Sequence, residues 1–95
     1  MAENFYVNTV GAVPANKLSE SVSLGVKLAE ESKAAGSTRA SVGTIMTGNN
    51  AGSVVFQQFF NSLNDFANVM DAFAASSTYG KIMETGLTVT MRNIA

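Results

Sequence analysis

Few side chains in this chain could do chemistry, and they are amides, phenols and guanidiniums. Tyr6 and Asn8 stand two residues apart in "NFYVNTVGAV", a stretch rich in β-branched and aromatic residues. Strand side chains alternate, so this spacing puts a phenol and an amide on one side. Either they hold the polar group of a small ligand, or they bond to backbone at a strand end or subunit seam. Gln57 and Gln58 are adjacent in "SVVFQQFF", so they face opposite sides. Gln58 shares its side with Val54, Phe56 and Phe60, and Gln57 with Val55 and Phe59. We expect Gln57 to be the polar group on the side away from the helices. Either glutamine needs partners if buried. Arg92 is a charge on the otherwise apolar terminal stretch "LTVTMRNIA". Its planar fork suits a ligand carboxylate, or an Asp or Glu across a subunit interface. Arg39 has the same two readings, with exposure expected at a strand start. The candidate ligand-binding residues are therefore Tyr6, Asn8, Gln57 and Arg92. No catalytic residue emerges.

The composition removes several classes of function. The 95 residues contain no histidine and no cysteine. The commonest general base near neutral pH, the commonest metal ligand and every thiolate are thus missing. The seven acids show no paired-carboxylate or metal spacing, so no metal is expected. The six basic residues are scattered and the net charge is −1. Nucleic-acid binding needs a basic footprint, and none is present. No apolar run approaches the roughly 20 residues of a membrane span. The opening "MAENFYV" lacks the pattern of a signal peptide. A cytoplasmic location, with no membrane and no nucleic-acid partner, is the expectation. "GTIMTGNN" has two glycines at near-phosphate-loop spacing, but the lysine and hydroxyl that should follow are absent. Met46, Met70, Met83 and Met91 read as core fillers.

The residues that position these groups form a regular series. Residues 4–12 read as a strand ending before Pro14, which cannot donate to a ladder. Residues 14–37 read as a helix: Pro14 suits its start, "KLAEESKAA" favours helix, and Gly36 suits its stop. Leu18, Val22, Val26 and Ala29, with Gly25, mark the expected buried stripe. Residues 38–48 and 53–60 read as strands joined by a turn at "NNAG". The rhythm changes at Asn61. Leu63, Phe66, Val69, Met70 and Phe73 then share a helical face, and Ser62 with Asp65 has the capping-box spacing. A second short helix carries Tyr79, Ile82 and Met83, capped by Ser76 or Ser77 and stopping at Gly86. Residues 87–95 alternate as a strand, with Leu87, Val89 and Met91 on one side and Thr88, Thr90 and Arg92 on the other.

The order is β-α-β-β-α-β, the split-βαβ or ferredoxin-like pattern. The fold class is α+β, a single domain over 1–95: a four-stranded antiparallel sheet with its helices on one face. The strands carry apolar residues on both sides, including Tyr6, Val10, Val55 and Phe59 away from the helices. A sheet apolar on both faces wants cover on both, and a second copy, sheet against sheet, is the simplest cover. The expected partner is the chain itself, as a homodimer.

In element order the chain resembles the dimeric α+β barrel superfamily, in which two ferredoxin-like sheets pair into a barrel. "VVFQQFFNSLNDFANVMDAFAASSTYGKIM" is similar to the second half of the NIPSNAP-like and antibiotic-biosynthesis-monooxygenase-like families. There a strand runs into a capped helix, a broken helix and a final strand. In topology the resemblance covers the whole chain, and in sequence residues 53–92. It implies a small organic ligand, bound between sheet and helices or inside the barrel. Haem-degrading relatives use a histidine ligand and a tryptophan; this chain has neither, so that activity is not expected. Monooxygenases of the superfamily work without metal or flavin, and no cofactor is expected here. Three readings stay open: a binder of a small apolar or aromatic metabolite, a cofactor-independent monooxygenase or isomerase on an aromatic or polyketide-like substrate, and a purely structural or interaction domain.

Overall fold

The computed structural model describes residues 4–48 and 51–95. Its elements run β1 (Phe5–Ala12), a single 3-10 turn (Ala15–Lys17), α1 (Leu18–Ala35), β2 (Arg39–Thr44), β3 (Val54–Phe60), α2 (Leu63–Ala74), α3 (Ser77–Glu84) and β4 (Thr88–Ile94). The four strands form one antiparallel sheet in the order β2-β3-β1-β4. This is the ferredoxin-like α+β arrangement that the sequence implies. The turn expected at 49–52 lies partly outside the described residues. Its flanks close as a hairpin, with Ile45 N–H donating to Ser53 O at 2.9 Å and Gly52 N–H to Ile45 O at 2.8 Å.

Register fixes the two faces of the sheet. Val7 pairs with Gln58, Thr9 with Phe56 and Gly11 with Val54, so these residues share the helix-covered face. Asn8 pairs with Gln57 and Tyr6 with Phe59 on the open face. The core lies between sheet and helices around Val7, Leu28, Phe60, Val69, Phe73 and Ile82.

The cap and corner after β3 form as expected. The Ser62 hydroxyl accepts the Asp65 N–H at 3.1 Å, and Ser76 caps α3 by accepting the Tyr79 N–H at 3.2 Å. Leu63 departs from its expected face and is 73% exposed. It sits in the first turn of α2, ahead of the stripe formed by Phe66, Val69, Met70 and Phe73.

The stripe expected on α1 is rotated. The buried residues are Ser21, Gly25, Leu28, Ala29 and Ser32, whereas Val26 is 51% exposed. Small residues win this face because they let the helix approach the sheet. A Cβ on Gly25 would stand 2.9 Å from Val42 Cγ2. The two serines do not bury bare hydroxyls. Ser21 Oγ donates to Thr85 Oγ1 at 3.0 Å, and Ser32 Oγ accepts from Gln58 Nε2 at 3.0 Å and pairs with Ser37 Oγ at 2.8 Å. With partners supplied, buried hydroxyls carry little penalty.

The alternation expected along β4 breaks once. Val10 pairs with Met91 but Gly11 pairs with Val89, so Thr90 is an extra residue, a β-bulge. Its Oγ1 donates to Val10 O at 3.2 Å. Beyond the bulge the faces exchange: Met91 lies on the open face, and Arg92 lies opposite Thr9 on the helix-covered face. Met46 and Met91 are not core fillers, at 81% and 49% exposed. Met46 lies past the end of β2, and Met91 is turned outward by the bulge.

Candidate functional site

An apolar concavity lies inside the sheet–helix sandwich. It has a volume of about 70 Å³ and is walled by Leu28, Val54, Phe56, Phe73, Tyr79 and Ile82. Its polar lining comes from Thr9, Ser21, Gln58 and Arg92, and among the described residues no acidic side chain lines it. Met83 and Val89, 37% and 40% exposed, also line it and place its mouth between α3 and β4. Ligand sites commonly span about 300–1,000 Å³. An engineered apolar cavity of about 150 Å³ admits benzene. As closed here, the cavity suits a group smaller than a benzene ring.

Gln58 is a cavity residue that the list of candidates from the sequence does not contain. Strand alternation does put it beneath the helices, but nothing in the sequence signals a cavity there. Gln58 is buried, with only 2% of its surface accessible. One amide hydrogen goes to Ser32 Oγ. The hydrogen bond to Ser32 uses one of the positions of the amide's donor and acceptor inventory. A buried amide lining a cavity is suited to reading a polar atom of a guest.

The expected candidates divide between two faces. Tyr6, Asn8 and Gln57 are together on the open face, where the Tyr6 and Phe59 rings lie 5.6 Å apart. Asn8 Oδ1 is buried without a hydrogen-bond partner. Nearby, Gln57 and Phe59 line a shallow depression of about 320 Å³ with Lys33, Arg39, Ala40 and Ser41. The Arg39 guanidinium lies 4.1 Å over the Phe59 ring, a cation–π contact. Arg92 is not part of this group. The bulge turns it to the cavity, where its Nε donates to Thr9 Oγ1 at 3.2 Å.

Helix α3 roofs the cavity with Tyr79, Ile82 and Met83, and α1 latches it at both ends. At one end the Ser76 hydroxyl donates to Glu31 Oε1. At the other, Ser21 bonds Thr85, whose hydroxyl donates to Ile82 O at 2.6 Å. The Ser76 hydroxyl, and secondly that of Thr78, hold the Glu31 carboxyl below its ordinary value of 4.5, against a small opposing effect of burial. A depressed carboxylate contributes stability above its unfolded value and loses it as pH falls through the folded value. Glu31→Gln is therefore expected to be less stable than the parent at neutral pH. The gap should close as pH drops below about 4.5. Urea unfolding of both proteins from pH 7 to pH 3 checks this, and a gap independent of pH would count against the charged latch.

Solved structures with this fold are numerous at low identity. A candidate antibiotic biosynthesis monooxygenase from Nitrosomonas europaea superposes with a TM-score of 0.64 at 15% identity, covering 100% of this chain and 89% of its own. A dimeric ferredoxin-like protein from an uncultured marine organism gives 0.65 at 16% identity, covering 96% and 92%. A NIPSNAP family protein from Agrobacterium tumefaciens gives 0.61 at 12%, covering 97% and 90%. The fold is thus the one shared by the NIPSNAP-like and antibiotic-biosynthesis-monooxygenase-like proteins that the sequence resembles. No curated protein sequence matches the chain. Over residues 3–95 it matches the model of one family, and so the chain belongs to the domain of unknown function DUF6854.

Proposed function

We propose that the protein is a homodimeric α+β barrel whose subunits each bind a small apolar or aromatic molecule between sheet and helices. The observation that carries this reading is a buried amide, Gln58, in the wall of an apolar cavity. The volume favours a small guest, or a larger one admitted when Met83 and Val89 give way at the mouth. With no histidine or cysteine to act as a strong base, binding is the simpler activity. The open face supplies the argument for pairing. Tyr6, Val55 and Phe59 lie only half-buried there, beside exposed Met91. A second sheet laid on this face would cover them and give the Asn8 amide a place to find its missing partner. Tyr6, Asn8 and Gln57 then belong to the barrel interior, and Gln58 and Arg92 to the cavity of each subunit.

The test has two readouts. Light scattering should give about twice the 9.9 kDa chain mass; a monomer at micromolar concentration would remove the pairing. Titration with small aromatic and branched aliphatic fragments, followed by amide NMR, should shift resonances of Gln58, Phe73 and Tyr79 together. Gln58→Leu keeps the volume and removes the polar contact. It should weaken fragments bearing a hydroxyl or carbonyl about tenfold and leave hydrocarbons unaffected. Shifts confined to exposed residues would sink the cavity reading.

A further inference from the structure

Resting on that cavity reading, we infer that the guest is a small organic monoanion, a carboxylate above all, held at the cavity mouth by Arg92. Its apolar tail enters between Phe56, Phe73 and Ile82. Arg92 makes no ion pair among the described residues, and no acid lines the cavity to neutralise it. An arginine at the rim of an apolar cavity, with no acid there to engage it, is chemically suited to meet the anionic head of a guest. Its geometry is also partly set. Nε is spent on Thr9 Oγ1, which fixes the plane of the guanidinium. The paired terminal Nη groups remain, and they match the two oxygens of a carboxylate end-on.

The bulge strengthens the argument. With Thr90 paired in a regular ladder instead of bulged out, the period of the strand would send Arg92 to the open face, away from the cavity. The chain interrupts a regular strand where that interruption brings its cation to the mouth. Charge and size then narrow the class. One cation, with no lysine or second arginine in the lining, fits a single negative charge better than a doubly charged phosphate. A volume of about 70 Å³ fits a short branched or small cyclic tail better than a long acyl chain.

The experiment compares isosteric pairs on the intact protein: isobutyrate with isobutyramide, and benzoate with benzamide, titrated by amide NMR at neutral pH. Each acid is expected to bind about tenfold or more tightly than its amide. Arg92→Gln should erase that preference, and Arg92→Lys should keep part of it. Because Arg92 is exposed on a strand at the sheet edge, both variants should retain the parent spectrum elsewhere. Acid and amide binding equally at cavity residues would overturn the anion inference and leave the cavity reading standing. Neither shifting cavity residues would overturn both. A preference for acid that survives Arg92→Gln would overturn the assignment to Arg92.

Discussion

Phe60→Ala is expected to cost about 3–5 kcal/mol, a large share of the roughly 5–15 kcal/mol that holds a domain together. Phe60 is fully buried. Its ring stacks on Phe5 at 5.4 Å and meets Phe66 edge-on at 5.3 Å, while Phe5 and Phe66 lie 6.2 Å apart. These three rings join β1, the end of β3 and the first turns of α2, so the cavity left by alanine is walled by three elements. Such a cavity collapses poorly, which places the cost toward the upper end of its range. Chemical denaturation should show a lower midpoint at unchanged slope. Leu63→Ala, three residues away but exposed, should change stability by no more than about 0.5 kcal/mol. A loss below about 1 kcal/mol at Phe60 would show that these rings do not anchor the corner.

Gly11→Ala is the second large effect. A Cβ there would lie 2.7 Å from Leu87 Cδ2 and 2.8 Å from Leu87 Cγ. Moving the branch point of a leucine requires the whole side chain to shift, and overpacking of this kind costs about 1–3 kcal/mol. The strain is between two named residues, so Leu87→Ala should relieve it. In a double-mutant cycle the pair should cost less than the sum of the single changes. Strict additivity would mean that Leu87 already has somewhere to go. Both residues also line the cavity. A displaced Leu87 has that space as its nearest refuge, so the single variant should bind fragments more weakly than the double one.

The order of elements was legible because each boundary carries its own chemistry. Pro14, Gly36, Ser62 and Ser76 stand where elements begin or end, and the aromatic alternation of β3 has no helical reading. The faces of β1 and β3 followed from the period of two. Two things were not legible. On α1 the apolar residues suggested one face, but close approach at Gly25 and paired hydroxyls at Ser21 and Ser32 selected another. Hydropathy does not record that a serine will meet a partner 64 positions away. On β4 the regular alternation of "LTVTMR" hid an extra residue, because a bulge depends on the neighbouring strand. That is why the sequence groups Arg92 with Tyr6, Asn8 and Gln57, whereas the structure puts it on the sheet face of Gln58, at the same cavity.

The bulge at Thr90 also bears on how such chains diverge. If Thr90 were drawn into a regular ladder, Met91 and Arg92 would exchange between two compartments, the sandwich interior and the outer sheet face. Neither side chain need change. A shift of register alone can thus convert a charged cavity mouth into an apolar one, and a greasy outer face into a charged one. Relatives with identical letters along this strand can accordingly differ in both what they hold and whether they pair.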